Sequence, residues 1–137
     1  MDIAVNYLAV VAAAIAAFAV GAVWHSPIGF GKQWMRMMGL SEKDVHAMPL
    51  SPMQAMVGGF IATLVTSYVL ALLVSLTGAG TAQTALQLGF WVWLGFLAPT
   101  LANSWLWEGR PLALFAFNAA YALVAIEVIA LVLGLMH

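Results

Sequence analysis

Two groups of polar residues stand out against an otherwise apolar chain, and each could carry chemistry. The first is Glu127, the one acid or base well inside a long apolar run. An isolated carboxylate in hydrocarbon costs roughly 3 kcal/mol, so such a residue is protonated, paired or hydrated, and intramembrane acids serve proton-coupled transport. Asn6, in the first apolar run, falls at a similar depth. A hydrogen bond between Asn6 and Glu127 is a sufficient structural explanation for both, and it is the preferred expectation because the acid stands alone near one interface. The second group gathers at the opposite end. His25 and Ser26 close the first run, Asn103, Trp107 and Glu108 lie late in the third, and Asn118 and Tyr121 share one face of the fourth. His25 and Glu108 form a possible acid–base pair, and the set is a candidate site for a small apolar molecule or a lipid headgroup. The plainer role, above all for Asn103 and Asn118, is hydrogen bonding between helices.

Other chemistries find less support. No cysteine is present, which excludes disulfides and thiolate catalysis. His25, His46 and His137 lack ligand spacing; His25, His46 and Glu108 could make a three-ligand set, but nothing in their positions demands it, and no metal or other cofactor is expected. There is no nucleotide loop, nucleophile elbow or paired-carboxylate motif. A basic face for nucleic acid is also missing, since four basic and five acidic side chains leave a net charge of −1.

The elements that must position these residues follow from composition. The 137 residues are 65% hydrophobic and 7% charged, against roughly a quarter charged in an average soluble domain. The lipid bilayer is the natural solvent, and four runs are long enough to cross it at about 20 residues each. They cover about 3–25, 52–76, 85–107 and 111–136, one four-span domain over 1–137. The first begins with Asp2 and no basic residue, so it reads as a retained span rather than a secretory signal. Its Ala9, Ala13, Ala17 and Gly21 form a ridge of small residues suited to close packing, within the chain in preference to a dimer seam.

The connection at 26–52 is the only substantial hydrophilic one. After Pro27, Lys32 and Arg36 share one helical face while Phe30, Trp34 and Met37 or Met38 take another, the pattern of a short helix in the headgroup plane. Trp24 and Trp34 are interfacial anchors beside Lys32 and Arg36. Ser41-Glu42-Lys43-Asp44 caps one further turn, and Ser51-Pro52-Met53-Gln54 opens the second span with a capping box. Thr63, Thr66 and Ser67 are expected to bond back to carbonyls of their own helix. Thr84 and Gln87 offer a capping box for the third span, whose tryptophan pairs, Trp91 with Trp93 and Trp105 with Trp107, stand roughly 21 Å apart at helical rise. Pro99 should kink that span and free the carbonyl of Gly95, and Pro111 should open the fourth span after a tight reversal at Glu108-Gly109-Arg110. The fold class is therefore all-α, an integral membrane four-helix bundle with a short interfacial helix between spans 1 and 2.

Basic residues orient the bundle. Lys32, Arg36 and Lys43 lie in the first loop and Arg110 in the third, which four spans place on one side. The positive-inside rule makes that side cytoplasmic and leaves both termini outside.

The sequence resembles a family of small bacterial membrane proteins catalogued as a domain of unknown function, number 1761. The likeness rests on Asn6, on Gly21-Ala22-Val23-Trp24-His25-Ser26-Pro27, on Phe30-Gly31-Lys32-Gln33-Trp34-Met35 and Gly39-Leu40, on Glu108-Gly109-Arg110-Pro111, and on Asn118 and Tyr121. It covers nearly the whole chain. His25 stands where many members carry tyrosine. The resemblance implies a four-helix integral protein of the bacterial inner membrane and brings no established activity. The leading expectation is a non-enzymatic, self-associating scaffold, a homo-oligomer able to bind lipid or a small apolar ligand. A small transporter or channel using Glu127 and a hinge at Pro99 comes second, and a membrane enzyme using His25 and Glu108 third.

Overall fold

A computed structural model describes residues 3–137, and helix is the only regular structure among them. Four helical stretches are long and apolar enough to cross a membrane: α1 (Tyr7–Trp24), α4 (Pro52–Thr77), the third span over Ala82–Leu106, and α8 (Leu112–Leu135). Between the first two lie α2 (Gly31–Met38) and α3 (Glu42–His46). This is a multi-pass membrane protein with an all-α bundle.

The capping signals act as the sequence implies, with one shift. Ser41 and Ser51 each accept from the third backbone N–H of their helix, and Asp44 and Gln54 return the bond to the cap. The third span instead starts from Thr81, whose side chain accepts from Thr84 N–H. Thr84 is the second member of that box, and Gln87 has no part in it. The helix therefore begins at Ala82, about three residues earlier than the Thr84 pattern suggests. Pro111 takes the cap position of α8 with extended backbone, and Leu112 is the first helical residue.

The third span is not a simple kinked helix. It runs as α5 (Ala82–Val92), a π-helical segment (Trp93–Leu97), α6 (Ala98–Leu101) and α7 (Asn103–Leu106). Pro99 has no N–H for the carbonyl of Gly95, and the chain accommodates this by widening before the proline. Ala98 N–H donates to Trp93, five residues back. Thr100 Oγ1 donates to the Phe96 carbonyl at 2.7 Å, so the loosened turn keeps a polar partner.

Packing is uneven from end to end. α8 lies against both α1 and α5, and α1 against α4. The ridge of Ala9, Ala13, Ala17 and Gly21 is buried inside the chain, where short side chains let neighbouring backbones approach. Ile129, Val74 and Ser67 are the largest fully buried side chains. All belong to the half of the bundle nearer Asn6, the α4–α5 turn and Met136, hereafter the tail end. At the other end, where α1 meets α2, the opening stretch of α4 from Pro52 to Gly59 is exposed throughout.

Ser67 departs from expectation. Thr63 and Thr66 do bond to Gly59 and Ala62 in their own helix, but Ser67 Oγ donates across to the Val10 carbonyl of α1 at 2.8 Å. At a closely packed interface the facing carbonyl is within reach, and the hydroxyl joins two helices.

Candidate functional site

The end formed by the first loop is built around a turn that folds back on itself. Ser26 Oγ donates to the Val23 carbonyl at 2.7 Å, Phe30 N–H to Trp24 at 2.7 Å and Gly31 N–H to Ser26 at 2.9 Å. These bonds pull Gly29 and Gly31 against the α1 terminus. A Cβ at Gly29 would collide with the carbonyls of Val23 and Trp24, and one at Gly31 with those of His25 and Ser26. Only glycine lets the chain return so closely.

The turn stacks an aromatic cluster against α8. The Trp24 ring lies 4.8 Å from Phe30 and 5.8 Å from both Phe117 and Tyr121; His25 lies 4.7 Å from Tyr121 and 5.5 Å from Trp34. These separations fall within the range of favourable tilted and edge-to-face pairs. Tyr121 occupies the space a side chain at Gly21 would need. His25 Nδ1 donates to the Gly21 carbonyl at 2.9 Å. It has its partner in α1, whereas Glu108 stands exposed in the third loop.

Among the sequence-chosen residues, His25 and Tyr121 come together, with Trp24 and Trp34 around them. Ser26 shapes the turn. Asn118 is half-buried on α8, Asn103 is exposed, and Trp107 is 84% exposed, and none of the three takes part in the ring contacts of the cluster. Among the described residues no three His, Asp or Glu side chains converge on one point. Phe117 is the member that sequence reasoning misses. Its one signal is its position, four residues before Tyr121 on the same helical face.

Beside the cluster, α2 lies along the start of α8 and leaves a shallow, open cleft of about 580 Å³. Phe30, Met37, Ala113, Ala116 and Phe117 give it apolar walls, and Gln33 and Arg36 also line it. Lys32 and Arg36 are both exposed. The cleft therefore has apolar walls and one lining cation, Arg36, and no acidic side chain lines it among the described residues.

The expected bond between Asn6 and Glu127 is replaced by other contacts. Asn6 Nδ2 donates to the Met136 carbonyl at 2.8 Å and its Oδ1 accepts from Ala9 N–H at 3.2 Å. Glu127 turns toward α5 and lies over Gly89. Asn6 is thereby a helix cap joined to the far end of α8, and the acid has a different neighbour.

A family model described as a protein of unknown function, DUF1761, matches residues 8–134. The chain belongs to the DUF1761 family. Comparison with curated proteins and with solved structures finds no match. In this DUF1761 protein the stretch from Trp24 to Trp34 is the turn and aromatic cluster just described, and Tyr121 is the α8 residue that seals it. Its motif residues carry structural work that can be named: Ser26 closes the turn, and Gly31 permits the return.

Proposed function

We propose that this protein is a lipid-binding protein of the bacterial inner membrane rather than an enzyme, with its first loop cytoplasmic and both termini outside. The observation that carries the proposal is the cleft between α2 and α8, apolar along its walls and lined by Gln33 and Arg36. An amphiphile with an anionic headgroup fits that distribution. Its acyl chain would lie on Phe30, Ala113, Ala116 and Phe117, and its phosphate would meet Arg36. Self-association belongs to the same proposal, through a surface other than the small-residue ridge, which is buried within the chain.

Native mass spectrometry of protein reconstituted with phosphatidylglycerol and phosphatidylcholine tests it. The anionic lipid should be retained preferentially, and Arg36→Gln should weaken retention roughly fivefold, since each basic group near an anionic surface is worth about 1 kcal/mol. Equal retention of both lipids, unchanged by Arg36→Gln, would overturn the proposal. Sidedness has its own test. An impermeant maleimide added to intact cells should label Gly80→Cys and spare Lys43→Cys; labelling at 43 would reverse the orientation.

A second reading, a small transporter or channel, is favoured by the π-helical segment before Pro99, a local geometry found often at functional sites. Proton-dependent flux in proteoliposomes that disappears in Glu127→Gln would select it over the lipid-binding reading.

A further inference from the structure

Glu127 is the acid for which the packing supplies no partner. Its Oε1 is buried without a hydrogen bond. The atom sits over Gly89 of α5, where any side chain would collide with it; a Cβ there would also stand 3.1 Å from the Cβ of Ala130. A glycine in the facing helix thus makes the room the carboxyl occupies.

Among the described residues no counter-ion is at hand. The third span, Ala82–Leu106, contains no acidic, basic, histidine or tyrosine residue. In α1 and α4 the only titratable side chains are Tyr7 and Tyr68, which stack on each other. On α8 itself Tyr121 lies against Gly21, and His137 beyond its end lies against Gly80. The nearby polar side chains of the third span do not bond to Glu127 either. Gln87 is exposed, and Trp93 Nε1 donates to the Ala119 carbonyl at 2.8 Å. A charged carboxylate in that setting has neither cation nor donor, which the bilayer interior penalises heavily.

We propose that Glu127 is a resident neutral carboxylic acid, a proton-binding site in the wall between α8 and α5. Loss of the proton would leave a charge whose Oε1 has no donor, and bringing water or a cation to that oxygen means parting α5 from α8 at Gly89. This contact lies one turn before the π-helical segment, so proton occupancy is coupled to the looser half of the third span. The inference stands apart from the lipid cleft, which lies at the other end of α8, and either can fail alone.

A neutral acid in hydrocarbon has a distinctive reaction with a lipid-soluble carbodiimide. The carboxyl O–H breaks, its proton passes to one carbodiimide nitrogen, and its oxygen bonds to the central carbon. The acyl group then shifts from oxygen to nitrogen and yields a stable N-acylurea. The whole reagent is added, nothing leaves, and no redox change occurs. Full-length protein in lipid nanodiscs at neutral pH should gain one dicyclohexylcarbodiimide, mapped by peptide mass spectrometry to Glu127. A water-soluble carbodiimide should modify the exposed Asp44 and Glu108 and spare Glu127. Absence of the lipid-soluble adduct, or reaction of Glu127 with the water-soluble reagent as fast as Asp44, would overturn the proposal. Infrared spectroscopy gives a readout free of reagent access. The wild-type minus Glu127→Gln difference should contain the carbonyl stretch of a protonated carboxyl, and carboxylate bands in its place would refute the assignment.

Discussion

The two ends of this bundle are held by different physics. At the tail end, side chains bond directly to the backbone of neighbouring helices and of the segments that flank them. Ser67 and Ser75 of α4 donate to Val10 and Ala4, and Asn6 donates to Met136. Small residues bring the helices close enough for this, and Ala13 and Ala130 are fully excluded from the surface. At the first-loop end, rings stack on rings. Trp24 Nε1 there is buried without an acceptor, and α4 stands clear of the bundle over its first two turns. Helices in lipid gain little from apolar burial, so close backbone packing and hydrogen bonds decide which parts stay together. Where those are dense the protein closes on itself; where aromatic packing replaces them, clefts remain for amphiphiles. The tail end does contain a cavity of about 320 Å³, lined by Asn6, Ser75 and His137 among apolar residues; Asn6 and Ser75 already bond to protein carbonyls.

Substitutions can break this contrast. The largest effect should come from Gly134→Val, because even a Cβ at Gly134 would come within 3.0 Å of the Thr81 and Ala82 backbones. Overpacking against rigid backbone should cost about 3 kcal/mol in a reversible detergent-unfolding titration; an unchanged midpoint would show that the tail end is looser than described. Ser67→Ala removes a buried interhelical bond and should cost about 1 kcal/mol by the same titration. A loss no larger than that of Thr66→Ala, whose bond stays within its own helix, would remove the case for stitching. At the open end the sign should reverse. A methyl group added at Gly58 would meet nothing within 4 Å, so Gly58→Ala should raise stability by about 0.5 kcal/mol through helix propensity alone. Destabilisation there would mean that α4 is packed on this face.

The smallest effect concerns α3. Ser41 N–H and Oγ both donate to Asp44 Oδ2, at 2.8 and 2.9 Å, and hold its carboxyl below the usual carboxylate range, the backbone bond contributing most. A depressed value in the folded state means that this support is present above the unfolded-state pKa and is lost as pH falls through the depressed one. NMR should therefore place the Asp44 titration below that of an ordinary aspartate, with α3 loosening over the same range. A midpoint at the ordinary value would show that the capping box does not form in solution.

The elements are legible in the sequence because their signals are local. Ser51-Pro52-Met53-Gln54 caps α4 as its spacing implies, and α2 exposes Lys32, Gln33 and Arg36 while Trp34 and Met37 are partly covered. Contacts between helices are far less legible. An amphipathic helix announces its inward face, but α1, α4 and α8 are largely apolar all round, so apart from the small-residue ridge of α1 little in their sequences fixes rotation, and nothing fixes register. For that reason depth alone pairs Asn6 with Glu127 when its partner is Met136, and spacing alone keeps Ser67 within its own helix when it reaches α1. Gly89 illustrates the same difficulty, since a lone glycine in an apolar run gains meaning only once Glu127 is seen above it. The π-helical widening before Pro99 answers local chemistry, yet a missing N–H at Pro99 allows several rearrangements, and the sequence does not say which one the chain adopts.

The most direct test of a closed end and an open end is photocrosslinking with phosphatidylglycerol that carries a diazirine on one acyl chain. The protein would be reconstituted in nanodiscs and its adducts mapped by peptide mass spectrometry. Strong adducts should fall on Phe30, Met37, Ala113, Ala116 and Phe117 around the α2–α8 cleft, and should fade when Arg36 is replaced by glutamine. Adducts concentrated instead on Val5, Ala9, Val74 and Leu133 at the tail-end cavity, indifferent to Arg36, would contradict the account.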